Sequence, residues 1–251
     1  MGMAIFESSS NFNPANHGLK IGDEINVICV GGGQGGMHFY SSADGSKAGD
    51  GGNGAASSFG NIVTAKGGSQ TTGQYIKPPN RNIIGGSGGF ILGVNDWGGL
   101  ANVDTGEQPA GSAGASDASK KSGKYDGYKN GGGHTYTTNG GNGYGAGGAN
   151  LGGGEPGHSW KGGNSGEVVF KTHKLTSLST IAVSVGGGGG GGYANSVMGY
   201  AGKQGTTSGG GDGGYSSNAE YGKGGYGGIR GAYGSSVTGG GGAGGCVIVF
   251  W

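Results

Sequence analysis

The chain has 251 residues, of which 73 are glycine and 5 are proline, whereas glycine ordinarily makes up roughly 7% of a protein. Each interior glycine costs a helix about 0.8–1 kcal/mol relative to alanine, so long α-helices are excluded. Charged residues make up 12% of the sequence and the net charge is +1, which excludes a strongly basic surface for nucleic acid. No run of about 20 apolar residues is present, so no membrane-spanning helix is expected.

Six short apolar runs, rich in β-branched residues, have the character of strands. In chain order they are residues 25–30, 62–65, 90–94, 168–170, 181–185 and 246–251. Most of them run directly into glycine, since Val30 precedes three glycines and Val185 precedes seven. The glycine-free window 167–185 is interpreted as two strands joined by a polar turn, which predicts a β-hairpin.

The glycine clumps between these strands predict a second kind of structure. Collagen is excluded because the glycines do not recur at every third position. A glycine chain in the polyproline-II conformation has three residues per turn and no internal hydrogen bonds, so its buried N–H and C=O groups must pair with neighbouring chains. The expected scaffold glycines are the seven of the longest run, which would span roughly 22 Å in that geometry: Gly186, Gly187, Gly188, Gly189, Gly190, Gly191 and Gly192.

The predicted fold class is therefore all-β or irregular, with essentially no α-helix. We expect a layered bundle, or sandwich, of polyglycine-II helices that continue from a small framework of β-strands. Residues 1–24 are predicted to be a lead-in or attachment segment. Residues 25–251 are predicted to form one glycine-rich domain with protruding polar and aromatic loops.

Motifs that resemble catalytic or nucleotide-binding signatures are expected from the glycine content alone. Residues 31–36 match G-x-G-x-x-G, but the residues that follow cannot supply the helix that a dinucleotide site needs. Residues 85–89 match the nucleophile-elbow pattern without a strand-to-helix context, and the five histidines lack metal-ligand spacing. Cys29 and Cys246 are interpreted as buried thiols, with a disulfide left open as the alternative. We expect no enzyme activity, no metal and no cofactor.

Segments that mix tyrosine and tryptophan with polar residues alternate with the glycine runs. Such mixtures are typical of binding loops, because rigid aromatic rings provide contact area at a low entropic cost. These segments are residues 70–82, 95–108, 120–142, 193–200 and 215–233. The candidate receptor-binding residues are Tyr75, Trp97, Tyr125, Tyr128, Tyr136, Trp160 and Tyr221. The alternative is that the rings cover flat glycine surfaces and only seal the domain.

Taken together, these motifs resemble the glycine-rich domains of bacteriophage tail-fibre and tail-tip proteins. The resemblance is carried by residues 51–68, by the predicted hairpin 167–185 and by the terminal segment 241–251, GGAGGCVIVFW. The chain is most similar to the distal receptor-binding adhesins of T-even-like phage long tail fibres, and the similarity extends from about residue 25 to residue 251. It implies a sandwich of polyglycine-II helices whose turns present variable loops to a receptor on the bacterial surface.

The resemblance also implies partners and a location. The partners would be a protein or glycan receptor on the bacterial surface and other tail subunits, bound through the N-terminal segment, with no nucleic acid and no insertion into a membrane. A homotrimer is left open as the oligomeric state. The expected location is the virion, which agrees with a start that lacks the basic and apolar regions of a secretory signal. The alternative class is a purely structural virion spike, decoration protein or extracellular glycine-rich matrix protein.

Overall fold

The computed structural model describes residues 2–36, 38–42, 45–69, 144–145, 147–148, 163, 166–194, 198–213 and 240–251, together with five two-residue strands between positions 75 and 152. Within these ranges the chain forms β-strands, extended glycine segments and one short 3-10 helix, Pro14–His17, with no α-helix. The predicted all-β class with essentially no helix is confirmed for this part of the chain.

The strands in chain order are β1 (Met3–Phe6), β2 (Ser10–Phe12), β3 (Glu24–Val30), β4 (His38–Ser42), β5 (Gly45–Gly49), β6 (Ser57–Phe59), β7 (Val63–Ala65), β8 (Tyr75–Ile76), β9 (Ile83–Ile84), β10 (Phe90–Ile91), β11 (Asn102–Val103), β12 (Leu151–Gly152), β13 (Val168–Lys174), β14 (Ile181–Ser184), β15 (Tyr193–Ala194), β16 (Gly199–Tyr200) and β17 (Cys246–Phe250). Each of the six predicted runs contributes to one of them. Of the run 90–94, only Phe90–Ile91 lies within the described residues.

Two four-stranded antiparallel sheets pack face to face as a small sandwich. The first sheet has the order β1-β17-β3-β13 and the second has the order β2-β14-β6-β7. Alternate residues of β3, namely Ile25, Val27 and Cys29, are buried between the sheets against Phe12 and Phe59 of the second sheet. Full burial of a large apolar side chain contributes about 1.5–3 kcal/mol. The residues between these positions, among them Ile28 and Ile248, are buried on the outer face of the first sheet, so both faces of β3 and β17 are covered and their sequences are almost continuously apolar.

The two cysteines lie on opposite faces of the first sheet. Strands β3 and β17 pair as neighbours, with Cys29 opposite Val247 and Cys246 opposite Val30. Because side chains alternate between faces along a strand, Cys29 packs in the core between the sheets and Cys246 packs on the outer face. Both are buried free thiols, as favoured from the sequence, and their strands exclude a disulfide between them. Burial raises the pKa of Cys29 to about 12 and the pKa of Cys246 well above its ordinary value.

The predicted hairpin over residues 167–185 is wrong. Its first strand, β13, pairs with β3 in the first sheet, whereas its second strand, β14, pairs with β2 and β6 in the second sheet. The connection therefore crosses from one sheet to the other. It does so because both strands bury side chains in the same core from opposite sides, and Leu175, at the start of the crossing, is buried in that core.

The N-terminal residues are part of the sandwich. Strand β1 pairs with β17 at the edge of the first sheet, and β2 pairs with β14 in the second. The N–H of Gly2 donates to the carbonyl of Trp251 at 2.8 Å, and the N–H of Trp251 donates back at 3.0 Å. Residues 2–24 thus complete both sheets; their expected role in attachment stays a prediction.

The glycine segments that leave the sandwich are held by hydrogen bonds between segments. The run 186–192 is buried along its whole length and exchanges backbone hydrogen bonds with the described segments 31–36, 50–56, 202–206, 209–212 and 240–245. Its bonds to four of these five segments recur at every third residue, and segment 209–212 forms one bond, from the N–H of Gly211 to the carbonyl of Gly188. The N–H groups of Gly189 and Gly192 donate to Gly33 and Gly36, while those of Gly187 and Gly190 donate to Thr206 and Lys203, at 2.8–2.9 Å.

Candidate functional site

The glycine segments connect the sandwich to a second group of strands at their other end. Segment 31–36 runs from β3 to β4, segment 50–56 returns from β5 to β6, and segment 186–192 runs from β14 to β15. Strand β4 pairs with β5, and β15 pairs with β16. Because β15 also contacts β4 and β5, these four strands lie together; we call them the distal end.

The layer between the sandwich and the distal end has no room for side chains along its central run. A Cβ added at Gly188 would overlap the carbonyl oxygen of Gly242, and one added at Gly189 would overlap that of Gly52. The main chain alone therefore sets the spacing of these segments. Backbone hydrogen bonds fixed in this way hold the distal strands at a defined position relative to the sandwich.

Most of the predicted receptor-binding residues lie outside the described part of the chain. These are Trp97, Tyr125, Tyr128, Tyr136, Trp160 and Tyr221. Tyr75 begins strand β8, where its backbone is paired opposite Ile84 of β9. The role of all seven in binding stays a prediction.

The distal end carries an aromatic pair in the predicted loop 193–200. Tyr193 and Tyr200 are direct cross-strand partners in β15 and β16, and their rings stack with centroids 5.8 Å apart at an interplanar angle of 27°. Ala194, the next residue along β15, is buried, so strand alternation places the two rings on the more open face. Both tyrosines are partly exposed, and nearby Met198 is 45% exposed.

This loop is one of the five segments predicted from the sequence, but Tyr193 and Tyr200 are not among the seven candidate binding residues. The signal was available, because Tyr193 directly follows the longest glycine run and Tyr200 closes the short insert before the next glycine segment. In this chain the two tyrosines stand where glycine segments 186–192 and 202–206 meet the β15–β16 hairpin.

Charged residues lie on the glycine segments that bond to the β15–β16 hairpin and to its flanks. A Cβ at Gly49 would overlap the carbonyl oxygens of both Tyr193 and Tyr200, so the exposed Asp50 follows a point of direct contact with the β15–β16 hairpin. The Asp50 carbonyl also accepts a 2.9 Å hydrogen bond from the N–H of Gly202. On the neighbouring segment, Lys203 Nζ and Asp212 Oδ2 form a 2.9 Å ion pair, which at such exposure contributes no more than about 1 kcal/mol.

A buried tyrosine, Tyr144, lies at the sandwich end of the glycine segments. Tyr144 packs on the outer face of the first sheet against Ile28, Val30 and Cys246, and its hydroxyl donates to Glu7 Oε1 at 2.5 Å. Burial, followed by the hydrogen bond to Glu7, raises the pKa of Tyr144 above its ordinary range. This hydrogen bond connects Tyr144 to the N-terminal segment, so we interpret Tyr144 as a residue that stabilises the fold.

Two further properties bear on function. In the ranges that the structure describes, no three His, Cys, Asp or Glu side chains are grouped in a way that would hold a metal ion. Over the same residues, no helix has the length and apolar character needed to cross a membrane.

Comparisons with known proteins add no family to these observations. No family model, curated protein or solved structure matches the chain. The described residues are all-β, with glycine segments that hydrogen-bond to one another between two groups of strands.

Proposed function

We propose that the protein is a non-enzymatic receptor-binding adhesin of a bacteriophage tail fibre, a tail tip or a phage-tail-like particle. In this proposal the distal end faces a receptor on the bacterial surface, and the sandwich faces other tail subunits. The observation that supports it best is the arrangement of the chain: glycine segments without side chains carry hairpins to one end of the molecule. Such a layer keeps its shape whatever the sequence of the displayed residues, and loops on a rigid scaffold are where binding residues concentrate.

The proposal includes a conformation for the scaffold, a bundle of polyglycine-II helices. This conformation has three residues per turn and no internal hydrogen bonds. The partners of segment 186–192 recur at every third residue in four of the five neighbouring segments, which supports that assignment. So does the position of the central run, which bonds to five described segments around it.

The test is binding of the fluorescently labelled, full-length protein to a panel of intact bacterial strains. Each strain is assayed untreated, after protease treatment and after glycosidase treatment. Strain-selective binding that is lost after one of the treatments is the expected result. A folded sample that binds none of the strains would contradict the proposal.

The second candidate is a structural spike or decoration protein with no specific receptor. It is favoured by the stacking of Tyr193 on Tyr200, since rings that pack on each other can serve to seal the distal end. The two candidates differ in their response to substitution of predicted loop residues. If the protein is a spike, the Trp97→Ala and Tyr128→Ala variants should still be incorporated into particles, and those particles should still attach to the host. If the protein is an adhesin, particles that carry these variants should lose attachment.

A further inference from the structure

We propose that strand β1 is an interaction edge, at which a second copy of this chain pairs in antiparallel fashion and joins two copies of the first sheet into one. The proposal goes beyond the proposed function and does not depend on it. Three properties of β1 carry it: an open row of backbone groups, exposed apolar side chains along that row, and a lack of the charged residues that line the opposite edge of the same sheet.

The open backbone groups of β1 belong to Met3 and Ile5. Among the described residues, β17 is the one strand that pairs with β1, which therefore ends the sheet. Gly2 and Trp251 exchange both of their hydrogen bonds, and such bonded pairs alternate with non-bonded pairs along an antiparallel ladder. The next bonded residues of β1 are therefore Ala4 and Phe6, whereas the N–H and C=O groups of Met3 and Ile5 point away from β17. An outward row of this kind is a template for a further strand.

Apolar side chains are exposed along the same edge. In the part of the chain that the structure describes, the exposed large apolar side chains are those of Met3, Ile5, Ile21 and Met198. Two of these four thus lie on one strand of four residues. Ala4 and Phe6 pack towards the core between the sheets, so strand alternation places Met3 and Ile5 together on the outer face. A strand paired at this edge would cover both side chains.

The other edge of the same sheet has the opposite character. Strand β13 carries Lys171 and Lys174, both exposed, and lysines on an edge strand are a common device against edge-to-edge association. Strand β1 contains no charged residue and no proline. Two copies that met at β13 would bring like charges together, whereas two copies that met at β1 would not. The contrast between the two edges of one sheet selects β1 as the interaction edge.

A second copy of β1 fits this edge in an antiparallel register centred on Ala4. In that register Met3 of each copy lies opposite Ile5 of the other, so the outward backbone groups of these residues meet as hydrogen-bonded pairs. Their apolar side chains then cover each other on the outer face, and cross-strand pairs of this kind stabilise a sheet. Glu7, the nearest charged residue, lies outside the three paired positions. The strand is thus complementary to itself, as a two-fold dimer requires.

The edge is fixed in its extended conformation by contacts within the chain. The rings of Phe6 and Phe12 meet edge to face with centroids 6.4 Å apart, and Tyr144 donates a hydrogen bond to Glu7, directly after the strand. Ordering of the edge therefore costs little on association. Because three paired residues form less than a standard interface of about 800 Å² per partner, we expect a reversible dimer with a dissociation constant on the order of 10 µM.

The experiment measures the mass of the full-length protein by sedimentation equilibrium, over a range of concentrations that spans the expected constant. The variants Met3→Lys and Ile5→Lys place a charge at exposed positions of the edge. Ile21→Lys is the matched control, because Ile21 is 66% exposed and lies outside the strands. We expect each edge variant to weaken association at least about tenfold, since a lysine cannot be covered by the paired strand without losing its hydration. The control should dimerise like the unchanged protein, and circular dichroism verifies the fold of all three.

A cysteine at position 4 tests the register. The two copies of Ala4 would face each other as a non-hydrogen-bonded pair, with Cα atoms about 4.5 Å apart, which is within the range of about 4.4–6.8 Å that a disulfide needs. Mild oxidation should therefore give a covalent dimer of Ala4→Cys. It should not do so for Ile5→Cys, because Ile5 of one copy lies opposite Met3 of the other. The native thiols, Cys29 and Cys246, are buried and do not interfere.

Three results would overturn the proposal or a part of it. A protein that stays monomeric over the whole range of concentrations would overturn the dimer. A dimer that both edge variants leave intact would overturn the place of the interface. A dimer that the lysines dissociate, but that Ala4→Cys does not cross-link, would overturn the register centred on Ala4. Each result is independent of binding to bacterial cells, so the proposed function stands or falls by its own test.

Discussion

At the scale of single residues, two glycines of neighbouring segments have opposite surroundings. A Cβ at Gly188 would overlap the carbonyl oxygen of Gly242, whereas a Cβ at Gly209 would meet no atom within 4 Å. Neither glycine has the positive φ that excludes other residues. The two positions therefore differ only in the space that is available for a side chain, and not in backbone conformation.

This contrast gives a stability prediction with a matched control. Gly188→Ala should lower the free energy of unfolding by about 3 kcal/mol, since inserting even one methyl group into a closely packed interior typically costs 1–3 kcal/mol or more. Gly209→Ala should leave it unchanged or raise it by up to about 1 kcal/mol through the unfolded state. Urea unfolding of both variants is the measurement. Equal effects at the two sites would contradict the side-chain-free interior.

The cysteines give a second prediction at this scale. Burial raises the pKa of Cys29 to about 12 from 9.0, and only the thiolate is an effective nucleophile. The folded protein should therefore show negligible reaction with a thiol reagent at pH 8, and both thiols should react in guanidinium. Because the folded pKa is raised, this burial contributes stability that is complete below pH 9 and is lost as the pH rises towards 12. Rapid labelling of one thiol in the native protein would contradict the burial of that side chain.

At the scale of elements, the positions of several strands could be predicted from the sequence, whereas their pairing partners could not. Strands β3 and β17 were predictable because both of their faces are buried, which gives continuous β-branched runs. Strands β2 and β6 were missed because Ser10, Asn11, Ser57 and Ser58 give them no apolar run; pairing with β14 and β7 makes them strands.

The connection 175–180 is a place where the local sequence pattern does not determine how the flanking strands pair. Two strands around a polar turn are equally compatible with a hairpin and with a crossing between sheets. The choice depends on partners more than a hundred residues away, since β13 pairs with β3 and β14 pairs with β2 and β6. Of the candidate site, the position of one loop was predictable, but the stacking of Tyr193 on Tyr200 required the register of β15 and β16.

A pair of leucines in this connection tests the crossing. Leu175 is 2% exposed and lies in the core between the sheets, whereas Leu178 is only partly buried. Leu175→Ala should destabilise the protein by about 2–5 kcal/mol, as expected for a buried leucine. Leu178→Ala should cost clearly less in the same chemical-denaturation experiment. A hairpin that left Leu175 at the surface would give two similar, small values.

At the scale of the whole molecule, the balance of buried surface is unusual. The sandwich buries apolar side chains, whereas the glycine layer buries peptide groups that are hydrogen-bonded to one another. Exposure of apolar surface raises the heat capacity on unfolding and exposure of polar surface lowers it. The sandwich and the glycine layer therefore contribute to the heat-capacity change of unfolding with opposite signs.

A calorimetric prediction follows from this balance. An ordinary protein of this length unfolds with a heat-capacity change of about 3–4 kcal/mol/K, at roughly 12–15 cal/mol/K per residue. We expect a clearly smaller value here, and with it a flatter dependence of stability on temperature. Differential scanning calorimetry at several pH values provides the measurement. An ordinary heat-capacity change would indicate that side-chain burial, and not peptide hydrogen bonding, dominates the fold.

The reciprocal hydrogen bonds between Gly2 and Trp251 have a practical consequence for engineering. Since the two ends of the chain are side by side, short linkers are enough to insert the molecule into a surface loop of an unrelated carrier, as is common for domains with adjacent termini. The carrier would hold the molecule by its sandwich and leave the hairpins at the far side of the layer pointing away. Such a fusion would turn the glycine layer into a side-chain-independent display platform for grafted peptides.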